Sequence, residues 1–222
     1  MLAKEQIFKF LGDLRNNNSK EWMDENRKRY KQVKARWIEE VTEILRRLSK
    51  YDAHFDFISP KSTLSRINNN RRFHPNKPTY KDYFTCSLSR GTDEISILHI
   101  SISPGNSFIG AGLHHPSSES IKKYYEAIDY NGSKFKEILN RKALKDLFGF
   151  LTPYKNDLKT APKGYDIKHP HIELLRKKSI TLMRNLTEED VCAENFPSTI
   201  ENAYLALMPF NNYLREALVF EK

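Results

Sequence analysis

The sequence predicts an α+β fold, with an antiparallel β-meander at about 83–114 packed against a long N-terminal helix and C-terminal helices. Three observations lead there: apolar residues recur at helical spacing before and after the middle of the chain, the period becomes two between Tyr83 and His114, and turn-forming residues separate the alternating runs. The chain has 222 residues, enough for one domain with its own core. It is expected to span 1–222 as a helical part (1–50), a loop-and-sheet part (51–116) and a mostly helical part (117–222) with an irregular stretch at 149–170.

The first helix is read over 4–14, with Ile7, Phe8, Phe10, Leu11 and Leu14 as its apolar stripe. Asn16, Asn17 and Asn18 break it. Ser19 is an N-cap candidate for a single long helix over 19–49, with Glu21 in its first turn. Trp22, Tyr30, Val33, Trp37, Val41, Ile44, Leu45 and Leu48 form its apolar side. Its other face alternates cations and acids, which reads as a solvated surface with intrahelical pairs. A connection at 51–63 carries a short strand at Phe55–Ile58.

In the meander, Phe84, Cys86 and Leu88 oppose Tyr83, Thr85, Ser87 and Ser89. Arg90-Gly91-Thr92-Asp93 reads as a hairpin turn. A second strand over Glu94–Ser103 sets Leu98, Ile100 and Ile102 against His99, Ser101 and Ser103. After Pro104-Gly105-Asn106 comes a third strand, Ser107–His114, whose Gly110 and Gly112 leave room for another backbone or a ligand. Ser117 or Ser118 starts a helix to Ile128, Ser133 another to Leu139, and Ala143–Phe148 a further turn. A short helix at His171–Lys178, a strand at Ser179–Arg184, a Thr187 capping motif and a last helix from Pro197 to about Glu216 complete the chain.

The functional signal lies between Arg66 and Lys81, RINNNRRFHPNKPTYK. It holds Arg66, Arg71, Arg72, Lys77 and Lys81, and no acid occurs between Asp56 and Asp82. This is neither a helical nor a strand pattern, so it reads as an ordered loop presenting cations just before the sheet. Arginine offers a planar donor fork for phosphate or carboxylate, lysine a mobile charge, and Tyr80 a further donor. The alternative is structural: these cations neutralise acids elsewhere, such as Glu21, Asp52 or Asp56. The polar sheet face of His99, Ser101 and Ser103 would form the floor of such a site, or else an ordinary solvent-facing surface or one packed by a helix.

A formal net charge of +9 favours anionic partners without choosing among them. A small anionic ligand is the leading expectation. A nucleic-acid-binding role is the alternative, drawn from the charge, the basic face of the long helix and the aromatics Phe73, Tyr80 and Tyr83. A third reading makes the long helix a scaffold for a protein partner, marked by exposed apolar surface beside Trp37 and Val41. The seven histidines, densest at His114-His115 and His169-Pro170-His171, lack metal-ligand spacing, so no metal site is expected. His99 or His115 would supply acid–base chemistry. Cys86 alternates with apolar residues and reads as core. No cofactor fingerprint occurs. Two cysteines far apart, an N-terminus charged at Lys4, Glu5, Lys9 and Asp13, and no long apolar run lead us to expect a cytoplasmic protein without a membrane partner.

Four stretches, NNNSKEWMDENRKRY (16–30), RINNNRRFHPNKPTYKDYF (66–84), FIGAGLHHP (108–116) and LKTAPKGYDIKHPHIELLRKKS (158–179), resemble a bacterial and fungal family, domain of unknown function 2461. The resemblance runs along nearly the whole chain and implies kinship; it brings no activity with it. It aligns family positions with Arg66, Arg72-Phe73, Lys77 and Tyr80-Lys81, with Asn18, Trp22 and Tyr30, and with Pro162-Lys163-Gly164. Here Asn69-Asn70 stand where the resemblance implies Arg-Asp, Pro78-Thr79 reverse the usual order, Ala111 replaces a glycine and Met23 a phenylalanine. An amide at Asn70 cannot titrate as the carboxylate would. The residues expected to bind an anion are Arg66, Arg72, Lys77, Tyr80 and Lys81, with Trp22 and Tyr30 leaning in from the helix and Lys163 reaching over from its turn.

Overall fold

The computed structural model describes residues 3–90 and 94–219. Among them the order is α1 (Glu5–Asn16), α2 (Lys20–Glu25), α3 (Arg27–Leu48), β1 (Phe84–Leu88), β2 (Ile95–Ile102), β3 (Ser107–Leu113), α4 (Ser118–Leu139), α5 (Lys142–Phe148), α6 (Ile172–Leu175), β4 (Ile180–Leu186), α7 (Glu188–Cys192) and α8 (Phe196–Leu218). The four strands form one antiparallel meander in the order β1-β2-β3-β4, so the fold is α+β as the periodicities require. Arg90 opens the expected hairpin turn, whose Gly91, Thr92 and Asp93 lie outside the described residues.

The chain divides into two compact units. The first comprises 1–87, 99–109 and 185–202. Its core is built from the α1 stripe of Phe10, Leu11 and Leu14 and the α3 stripe of Trp37, Val41 and Ile44, all at most 1% exposed. The Trp37 indole N–H donates to the Thr85 carbonyl at 3.1 Å, which ties α3 to β1. Glu40 is buried on α3 between Lys4, 3.2 Å away, and Arg36, 2.9 Å away. Those two cations satisfy a carboxylate that would otherwise be costly to bury.

The expected 19–49 helix is two helices. Ser19 does cap α2, accepting from the Trp22 N–H at 3.1 Å. At Asn26 the backbone leaves helical values (φ −97°, ψ 13°). The side-chain amide of Asn26 donates to the Trp22 carbonyl at 2.9 Å, a local bond that competes with continuation of the helix. The strand expected at Phe55–Ile58 is instead a 3-10 turn over Ala53–Phe57, started by Asp52, whose side chain accepts from the His54 N–H.

The second unit comprises 88–98, 110–184 and 203–222. Here α4 contains the two helices expected, merged across a kink at Asn131 (φ −150°, ψ 55°). Asn131, and not Ser133, caps the second half, its side-chain oxygen accepting from the Lys134 N–H. The glycines of β3 make room for backbone: a Cβ at Gly110 would lie 2.9 Å from the Leu182 carbonyl, and one at Gly112 only 2.1 Å from that of Ile180. β4 therefore occupies the space that the sequence left open to either a strand or a ligand. Asn211 of α8 donates to the Ile97 carbonyl at 2.9 Å, fixing that helix to β2.

The irregular 149–170 stretch is held by Asp157. Its carboxylate accepts from the N–H of Tyr154 and of Lys178 and pairs with the Lys177 ammonium at 2.8 Å. A capping box joins Thr187 and Asp190 at the start of α7. Among the described residues no helix is long and apolar enough to cross a membrane.

Candidate functional site

The polar face of β1–β3 within the first unit forms the floor of a cavity of about 510 Å³. The pleat explains the lining. Alternation sends Leu98, Ile100 and Ile102 to the core and turns His99, Ser101 and Ser103 the other way, where β1 adds Thr85 and Ser87. The cavity is therefore rich in hydroxyls, with Ser65 contributing one more, and carries aromatic surface at Tyr83 and Phe108.

These groups are ordered by one another. The Ser87 hydroxyl and His99 Nδ1 are 2.8 Å apart, and the His99 ring stacks on Phe108 with centroids 5.5 Å apart. Thr85 Oγ1 accepts from the Ser65 N–H at 3.0 Å. Arg15, at the end of α1, forms one wall. Its Nε donates to Asp82, and its terminal nitrogen donates to the Ser103 hydroxyl and the Pro104 carbonyl, both at 3.0 Å. Ser103 in turn donates to the Asp82 carbonyl.

The 66–81 loop adjoins this cavity, and its tip stands in solvent. Its stem is closed by an antiparallel bridge between Asn68 and Tyr80 and by the Lys81 N–H donating to the Ile67 carbonyl at 2.7 Å. Residues 70–78 are exposed. Among the described residues, none of Arg66, Arg71, Arg72, Lys77 and Lys81 lies within ion-pair distance of a carboxylate. The acid-free character of the sequence thus persists in three dimensions. Among the described residues, Glu21, Asp52 and Asp56 form no ion pair with these cations.

The expected site residues separate into groups. Arg66, Arg72 and Lys77 are exposed on the loop, and none is among the residues lining the cavity. Lys81 is half-buried and is not among the lining residues either; its ammonium lies 5.7 Å from the ring centroid of Tyr83, which does line the cavity. Burial and the neighbouring Lys77 both lower its pKa. Tyr80 is 4% exposed and serves packing. Trp22 and Tyr30 do not reach the cavity. They pack on Phe10 at 5.7 and 6.0 Å, and Tyr30 also approaches Phe84. Lys163 is exposed beside Gly164 (φ 93°) in the second unit.

Other candidates resolve as follows. Trp37 and Val41 are buried, so α3 has no apolar surface there for a partner. Some of its charges pair along the helix, Arg46 and Arg47 with Glu43, and Arg47 also pairs with Glu201. Cys86 is core, its thiol pushed up to about 12 by burial. His114 and His115 lie 4.1 Å apart in the second unit, beside Tyr154. Burial, and then His115, lowers the His114 pKa. Among the described residues no three His, Cys, Asp or Glu side chains converge as a metal site. Sequence reading found the polar floor but missed the Arg15–Asp82 wall, whose one local signal is that Asp82 ends the acid-free run.

An α+β chain with a hydroxyl-lined cavity beside a basic loop that pairs with no carboxylate among the described residues is the class that the geometry defines. The chain belongs to the family described as Conserved hypothetical protein (DUF2461), whose model matches residues 6–213. No curated protein and no solved structure matches it.

Proposed function

We propose that the protein binds a small phosphate- or carboxylate-bearing ligand in the hydroxyl-lined cavity, with the 66–81 loop supplying positive field at its edge. The observation that carries this reading is Lys81. Its ammonium is half-buried over Tyr83, near Lys77, and has no carboxylate partner among the described residues. A desolvated cation beside a like charge is relieved by an anion. Ser103 donates its proton to the Asp82 carbonyl, so the Ser101 hydroxyl is the floor donor for anionic oxygens, and hydrogen bonds to charged groups are the stronger kind. Arg15 is committed to Asp82, Ser103 and Pro104, so it frames the cavity and does not supply its free charge. Should a reaction follow binding, His99 is the lining residue through which a proton would pass.

A thermal-shift screen against phosphorylated and carboxylated metabolites at two salt concentrations tests this. A ligand that binds the folded form raises the unfolding midpoint by mass action. The expected result is a rise with one small anion that survives moderate salt and is lost in Ser101→Leu, which fills the floor. A shift that Ser101→Leu leaves unchanged counts against the cavity, and silence across the screen counts against the whole reading.

A further inference from the structure

We infer that the exposed tip of the 66–81 loop docks single-stranded nucleic acid, with Phe73 as a base-stacking platform and Arg71, Arg72 and Lys77 as phosphate contacts. None of these residues lines the cavity, so this surface stands or falls apart from the small-ligand reading.

Phe73 is 71% exposed, a large apolar ring held out in solvent. The Arg72 guanidinium carbon lies 5.8 Å from its centroid, so ring and cation are presented together. Arg71 is steadied by the Thr79 hydroxyl at 3.4 Å, and Lys77 stands at the far end of the tip. No carboxylate occurs between Asp56 and Asp82, and among the described residues none pairs with these cations.

The tip is also ordered before any partner arrives. Its stem is fixed by the Asn68–Tyr80 bridge and by the Asn69 N–H donating to the Thr79 carbonyl at 3.0 Å. Within the tip, the His74 N–H donates to the Asn70 carbonyl and the Lys77 N–H to the His74 carbonyl, each at 3.1 Å. Such order lowers the entropy lost on binding.

The chemistry favours unpaired bases. A duplex buries its base faces, whereas a single strand offers them to an aromatic ring while cations follow its phosphates. A membrane surface fits less well: interfacial anchors present an apolar face of several residues, and Phe73 is flanked here by Asn70, His74 and Asn76, all exposed. An acidic peptide would use the cations and leave the projecting ring without a role.

Fluorescence anisotropy with a short labelled oligothymidylate tests the inference. Binding is expected at low salt, weakening with salt at a log–log slope of about −0.7 per phosphate contacted. Phe73→Ala is expected to weaken binding about tenfold or more, and Phe73→Trp to retain it. Arg72→Ala with Lys77→Ala should make the slope shallower by about 1.4. All three positions are in exposed loop, so each variant is checked for an unchanged unfolding midpoint. Absence of binding at low salt overturns the inference, as does a Phe73→Ala protein that binds like the original. Tighter binding to phosphatidylserine vesicles or to polyglutamate, at equal charge concentration, also overturns it in favour of those partners.

Discussion

Asn18 grips Tyr80 by both of its backbone polar groups: the side-chain nitrogen donates to the Tyr80 carbonyl at 2.9 Å, and the side-chain oxygen accepts from the Tyr80 N–H at 2.8 Å. The amide acts as a one-residue strand partner, and it anchors the basic loop to the turn between α1 and α2. Asn18→Ala removes both bonds and leaves two backbone groups to find water. A loss of about 2–3 kcal/mol is expected in urea unfolding. Faster amide exchange at 67–81 should accompany it, while α8 amides keep their protection.

Gly112 tests the packing of β3 on β4. It has φ of +111°, and an added Cβ would meet the Ile180 carbonyl at 2.1 Å and the Phe210 ring at 3.1 Å. Gly112→Ala combines backbone strain with a clash against main chain, which cannot swing aside as a flexible side chain would. The expected cost is more than about 3 kcal/mol, read as a fall in unfolding midpoint or loss of folded protein. Gly105→Ala, where nothing lies within 4 Å, is the comparison: it carries the strain of φ +70° without the clash and should cost less.

Asp157 gives the protein an acid-sensitive bond. Burial alone would raise its pKa, but Lys177 and the N–H groups of Tyr154 and Lys178 outweigh it and lower the value. A carboxylate whose folded pKa is depressed adds stability that is complete above its unfolded pKa, about 3.9. That stability is lost as pH falls through the lower folded value. Asp157→Asn should therefore cost about 1–3 kcal/mol at neutral pH. The gap between variant and original should narrow below about pH 4. A gap that stays constant down to low pH would contradict the assignment.

The cysteines should differ in reactivity. Cys86 is fully buried with its thiol pushed up to about 12, whereas Cys192 is partly exposed. A thiol reagent at neutral pH is expected to label Cys192 first and Cys86 only on unfolding, because the thiolate is the reacting form.

Much of the fold was legible because its elements follow local rules. Ser19 announces a cap, Thr187 and Asp190 a capping box, and Leu98, Ile100 and Ile102 the apolar face of a strand turned to the core. The misreadings arose where a side chain bonds its own backbone. Asn26 interrupts a stripe that is continuous in its apolar residues, and Asp52 winds Ala53–Phe57 into a 3-10 turn. The site was half legible. The polar floor follows from period two, but Arg15 and Asp82 are 67 residues apart, and no local pattern joins them. Tyr80 shows what composition does not reveal: it sits in a run of cations, yet the residue is 4% exposed.

The most direct test of the proposed anion site is a calorimetric titration of the best-stabilising small anion into the original protein and into Lys81→Ala. Lys81 is half-buried beside the cavity and makes no ion pair among the described residues, so its removal should leave the fold intact. Loss of one charge-assisted contact should weaken binding about tenfold or more. Equal affinity in the two proteins would contradict the assignment of Lys81 to the ligand, and with it the place of the site.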